Sequence, residues 1–141
     1  MCKMPIGVEN FRELIEGNYY FVDKTLFIKD LLDSRSKVTL FTRPRRFGKT
    51  LSMSMLKEFF DVNAADGDVF AGLKISHAGH QYMQHRGEYP VIFLSMKSVA
   101  AGGYEETFSL FSSKYLRALK SSSRINEAIL IRVDGAFPQL P

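Results

Sequence analysis

At 141 residues, 45% hydrophobic and 24% charged, the chain has ordinary globular composition and length for one hydrophobic core, which excludes intrinsic disorder. Cys2 is the only cysteine, so no intrachain disulfide can form, and no apolar run after Lys3 resembles a secretory signal. The apolar stretches are too short to span a bilayer, and the expectation is a soluble cytoplasmic protein with a modest net charge of +4.

Val8, Phe11, Leu14 and Ile15 recur at helical spacing, and Gly17-Asn18 ends that helix. Residues 19–22 are short and aromatic, a brief strand or an extended lead-in. Asp23 or Thr25 caps the next helix, whose buried face is expected to carry Leu26, Phe27, Leu31 and Leu32. A polar turn at 34–37 leads into an apolar run, 38–42, predicted as the first sheet strand. The helix after Gly48 carries Leu51, Met55, Leu56, Phe59 and Phe60 inward.

Residues 61–68 form a polar loop, and a short apolar piece, 69–75, precedes a histidine-bearing segment at 77–87. Residues 89–96 are a second strand, apolar enough to lie inside a parallel sheet. Gly102-Gly103 breaks the chain before an amphipathic helix marked by Tyr104, Phe108, Phe111 and Tyr115. Strands alternating with helices predict a layered α/β fold. There is no internal repeat.

The run Arg43-Pro44-Arg45-Arg46-Phe47-Gly48-Lys49-Thr50 stands between the predicted first strand and the helix beginning near Leu51. Strand, tight turn ending Gly-Lys-Thr, then helix is the arrangement of a phosphate-binding P-loop. Gly48 lets the backbone approach a phosphate without a Cβ in the way. The N–H groups opening the helix lack intrahelical partners, and the helix dipole adds positive potential there. Lys49 supplies a cation for the β- and γ-phosphates, and the Thr50 hydroxyl suits Mg²⁺. These two are the candidate catalytic residues, with Thr50 the metal ligand. The candidate nucleotide-binding set is Arg45, Arg46, Phe47, Gly48, Lys49, Thr50 and Leu51. Pro44 has no N–H to offer, and Arg43 occupies the position where the general motif begins with glycine. The bland alternative is a basic turn opening a helix, with Lys49 solvated.

The segments PIGVENFREL, YYFVDKTLFIKDLL, VTLFTRPRRFGKTLSMSMLKEFFD and YPVIFLSMKSV together resemble the bacterial AAA-ATPase-like family, from about Pro5 to about Lys120. The resemblance implies a P-loop NTPase-like fold, three layers around a parallel sheet, binding ATP and Mg²⁺. It makes Arg43 an expected family variant of the loop. Longer members are similar up to this module and are followed by a nuclease-like domain of the PD-(D/E)XK type, a route to nucleic-acid partners.

A P-loop enzyme also needs an acid at the C-terminal end of another strand to hold Mg²⁺ and orient water. The strand 91–94 ends in Ser95. The other candidate, Ile129-Leu130-Ile131-Arg132-Val133-Asp134, is interrupted by Arg132 and followed by Gly135 rather than a second acid. An edge strand or frayed tail is the plainer reading of that run. The expectation is an ATP-binding domain with weak or absent hydrolysis, catalytically incomplete. Residues 1–120 form the module and 121–141 a divergent tail, so the chain is expected to be the N-terminal portion of a longer ATPase.

Asp23-Lys24-Thr25 belongs to the family wording and is either near the nucleotide or a helix cap. His77, His80 and His85 have no cysteine or acid among them at zinc spacing. A second function class also fits the cluster Arg43, Arg45, Arg46 and Lys49: a nucleic-acid or partner-binding fragment without nucleotide chemistry. Gly48 and Thr50 have no role in it, and so local a charge cluster suits a polyphosphate better than a long nucleic-acid track.

Overall fold

A computed structural model describes residues 3–42, 48–64, 67–95, 104–121 and 129–133. The chain divides into two units, Met1–Glu88 and Tyr89–Pro141. Helix and strand are mixed, with the helices concentrated in the first unit and the paired strands in the second.

In the first unit, α1 (Phe11–Glu16) starts where the Asn10 side chain accepts the Glu13 N–H, and stops at Gly17, whose own N–H returns to the Glu13 carbonyl. A Cβ on Gly17 would lie 2.4 Å from the Tyr19 ring, so the turn requires glycine. The chain then runs extended, with Tyr19 in an isolated parallel bridge to Lys3 rather than in a strand. Helix α2 is Leu26–Ser34, and α3 is Lys49–Phe60. A 3-10 turn (Lys74–His77) and the short helix α4 (His80–Met83) follow.

Three rings make the centre of this unit. Phe11 stacks on Phe70 at 5.1 Å between centroids, and Phe59 meets Phe70 edge-on at 5.2 Å; all three are fully buried. Leu14, Ile28, Met55, Leu56, Phe60 and Ile75 close around them. Polar ties fix α1 on α3. The Phe11 N–H, an orphan of the first turn, donates to the Ser54 hydroxyl at 3.0 Å. The Arg12 guanidinium pairs with Glu58 on α3 and with Glu16 one turn along its own helix.

The most specific polar tie joins the start of α2 to the 3-10 turn. The Asp23 carboxylate accepts the Thr25 hydroxyl (2.7 Å), the Thr25 N–H (2.9 Å) and the Lys74 N–H (2.7 Å). The buried Thr25 hydroxyl in turn accepts the Ile75 N–H at 3.1 Å. Thr25 stands at the N-cap position but makes no side-chain cap bond, because its hydroxyl is spent across the fold. Burial would push the Asp23 carboxyl up, yet the Thr25 hydroxyl, the two N–H donors and the Lys74 charge together hold it below its usual value.

A carboxyl depressed in the folded state stabilises the fold when ionised. That contribution is fully present above the ordinary carboxylate value of about 3.9 and is lost as pH falls through the folded value. Asp23→Asn should therefore be less stable than the parent at pH 7, with the gap closing below about pH 4. Urea titrations from pH 7 to pH 3 measure this. A gap independent of pH would mean that the charge on Asp23 contributes nothing.

Two expectations require correction. Residues 38–42 are not a strand: Val38 and Leu40 are 85% and 81% exposed, and no described strand lies beside them to take up their backbone groups. Only Phe41 turns inward, meeting Phe27 edge-on at 4.4 Å. On α2, the buried residue is Ile28, while Leu26 is 40% exposed. The short apolar piece 69–75 consists of turns and the start of the 3-10 turn, and supplies Phe70 and Ile75 to the core.

In the second unit, β1 (Val91–Ser95) and β2 (Ile129–Val133) pair in parallel, Val91 opposite Ile129 and Ser95 opposite Val133. Parallel neighbours need a crossover, and α5 (Tyr104–Ser121) supplies it, packing on β1. Run 129–133 is thus a paired strand. On α5, Phe111 stacks over Tyr115 at 6.1 Å, while Phe108 and Leu116 are each 55% exposed. Met96, Gly102-Gly103 and residues 122–128 lie outside the described residues.

Candidate functional site

Helix α3 begins on a glycine in the left-handed region. Gly48 has φ 74° and ψ 22°, and a Cβ there would touch nothing within 4 Å, so the need for glycine is torsional rather than steric. A left-handed residue followed by right-handed helix turns successive N–H groups toward one point, the geometry of an anion-binding nest. The first intrahelical bond runs from the Ser52 N–H to the Gly48 carbonyl at 2.9 Å. The N–H groups of Lys49, Thr50 and Leu51 belong to the turn that has no intrahelical acceptors.

Among the described residues no side chain caps α3, and its first turn contains no acid, whereas α1 has both the Asn10 cap and Glu13. Gly48 is exposed, and Lys49, Thr50 and Leu51 are half-buried. The rest of α3 is rigidly seated through Met53, Met55, Leu56, Phe59 and Phe60. The core therefore fixes the direction in which these backbone N–H groups are offered, with Lys49 and Thr50 on the same first turn.

Of the expected site residues, Gly48, Lys49, Thr50 and Leu51 are together at this helix end. Arg45, Arg46 and Phe47, with Arg43 and Pro44, lie outside the described residues, as does Asp134. The Asp23-Lys24-Thr25 motif binds the 3-10 turn through Asp23 and Thr25, which assigns it a structural task. His77 and His80 are exposed and His85 is half-buried. Among the described residues, no group of three or more His, Cys, Asp or Glu could hold a metal ion. No helix among them is long and apolar enough to cross a membrane.

A cleft of about 430 Å³ lined by Arg12, Glu58, Asp61, Gly67, Met83 and Arg86 opens at the other end of α3. At 1.5 Å per residue it stands roughly 18 Å from Gly48. Its cations are already engaged, Arg12 by Glu58 and Arg86 by Asp68 at 2.7 Å. Sequence reasoning did not anticipate it, since its partners are 46 residues apart along the chain in one pair and 18 in the other.

Comparison with known proteins bears on residues well beyond this helix end. A family model described as predicted AAA-ATPase, AAA-ATPase-like, matches residues 5–134, running past Lys120 through α5 and β2. A protein of Azotobacter chroococcum mcd 1, named only as an uncharacterized protein in the vnfD 5' region, is 37% identical over 94 residues. Those residues are 66% of this chain and 17% of that much longer protein. No solved structure matches the chain.

Proposed function

The chain belongs to the predicted AAA-ATPase family, and from that premise we propose that it is an ATP-binding module of the P-loop NTPase type, with a parallel sheet between helical layers. The observation that carries the reading is the left-handed Gly48 at the uncapped, acid-free start of α3, followed directly by Lys49 and Thr50.

The donor set suits a nucleotide polyphosphate with Mg²⁺. Successive N–H groups from Arg45 through Leu51 would cradle the phosphate oxygens, with Lys49 as the point charge at the β- and γ-phosphates. The Thr50 hydroxyl would be a single protein ligand to Mg²⁺, an ion that keeps several waters and takes phosphate oxygens for the rest. Held through Thr50, Mg²⁺ would supply neutralisation of the phosphate charge. Arg43, in place of the usual leading glycine, is read as a family variant of the loop.

Hydrolysis is proposed to be weak or absent. In the sequence Asp134 directly follows β2, but Gly135 follows it and no paired acid is present. Without that pair, water and metal are poorly oriented for in-line attack.

Filter retention of radiolabelled Mg-ATP, with phosphate release followed in the same tubes, tests both parts. The expected result is retained ATP, release at background, and retention lost in Thr50→Asn. Retention indifferent to Thr50→Asn would overturn the assigned site. Release clearly above background that disappears in Asp134→Asn would overturn the proposal of weak hydrolysis and make Asp134 catalytic.

A further inference from the structure

The cleft at the C-terminal end of α3 has used its donors and kept acceptors in reserve. Arg12 gives Nε and Nη2 to Glu58 Oε1, and Nη1 to Glu16 at 2.9 Å. Arg86 gives Nη1 to Asp68 at 2.7 Å and Nη2 to the Gly67 carbonyl at 3.1 Å, while its guanidinium lies over the Phe70 ring. The carboxylates of Glu58 and Asp61, which both line the cleft, are each engaged at one oxygen only. Glu58 Oε1 takes the Arg12 bonds, and Asp61 Oδ1 takes the Asn63 N–H at 2.9 Å and the Asn63 side-chain amide at 3.1 Å. Among the described residues no donor is bonded to Glu58 Oε2 or to Asp61 Oδ2. Asp61 is only 6% exposed, and a carboxylate oxygen withdrawn from water without a donor is costly. The dipole of α3 adds negative potential at this same end.

We propose that this cleft binds an aliphatic primary ammonium, its charged head on Asp61 and Glu58 and its methylenes against Val62 and Met83. An ammonium carries three donors and no acceptor, which matches the two carboxylate oxygens left over. An anion would find the Arg12 and Arg86 donors in use and would have to displace an ion pair to reach them. A calcium-like ion takes six to eight oxygens, and no third carboxylate or histidine joins Glu58 and Asp61 among the described residues. The volume, about 430 Å³, is in the range of small-molecule pockets. The site stands apart from the nucleotide reading, which concerns the opposite end of α3.

The test titrates the whole chain with n-butylammonium, followed by ligand-observed NMR, with n-butanol as the uncharged probe of the same chain length. The amine should bind saturably and the alcohol should not. Asp61→Asn keeps the size and the Oδ1 acceptor for Asn63 but sets an N–H₂ group where Oδ2 stood. It should weaken amine binding at least about tenfold, the loss expected for one charge-assisted bond. Met83→Lys brings an ammonium of the protein's own into the cleft and should abolish binding. That variant keeps the test decisive if Asp61→Asn fails to fold. Equal binding of alcohol and amine, no binding to the parent, or amine binding unchanged in either variant would overturn the proposal. Displacement of the amine by Ca²⁺ at lower concentration than the amine itself would make this a metal site and overturn it too.

Discussion

Phe59→Ala should cost the first unit about 3–5 kcal/mol, the usual loss for a fully buried aromatic ring. Phe59 has no exposed surface and meets two neighbours edge-on, Phe60 at 5.1 Å and Phe70 at 5.2 Å. Phe70 also stacks on Phe11, so a hole at position 59 loosens the ring that ties α1 to α3. A domain is stable by only about 5–15 kcal/mol, so this single change removes a large share. Leu40→Ala is the matched control. With Leu40 81% exposed, it should alter stability by no more than about 0.5 kcal/mol. Urea unfolding of the three proteins measures both values. A large loss in Leu40→Ala would mean that 38–42 is a buried strand after all, and a small loss in Phe59→Ala would move the core elsewhere.

How far the fold could be read from residues alone depended on whether its cause was local. Helix α3 was legible because Met55, Leu56, Phe59 and Phe60 mark one face over more than a turn, although Met53 joins them and Leu51 is only half-buried. Helix α2 was legible as a helix but not in rotation. Leu26 lies about 200° around the helix from Ile28. Which of them turns inward is set by the tie from Thr25 to Ile75, 50 residues away. The apolar run 38–42 has strand composition, but a strand exists only where another chain segment accepts its hydrogen bonds. Phe70 reached the core from a turn, where periodicity gives no signal.

The candidate site divides in the same way. Gly48, Lys49 and Thr50 were legible because the motif is contiguous and its chemistry follows from helix ends. The bonds within Asp23-Lys24-Thr25 are local, and a cap was a fair reading of them. Its real task is fixed by Lys74, 51 residues on, and no spacing rule reaches that far.

Lys49→Ala should weaken Mg-ATP binding at least about thirtyfold, since a charge-assisted contact to phosphate contributes roughly 2–3 kcal/mol. Folding stability should change little, because Lys49 opens α3 and is not among its buried core residues. Equal melting temperatures with unequal binding would separate the site from the scaffold. The most direct measurement is a calorimetric titration of Mg-ATP into the parent chain and into Lys49→Ala at the same concentration. Saturable heat from the parent and none from Lys49→Ala is the result expected of a phosphate site at the head of α3. Equal heats from the two proteins would contradict it.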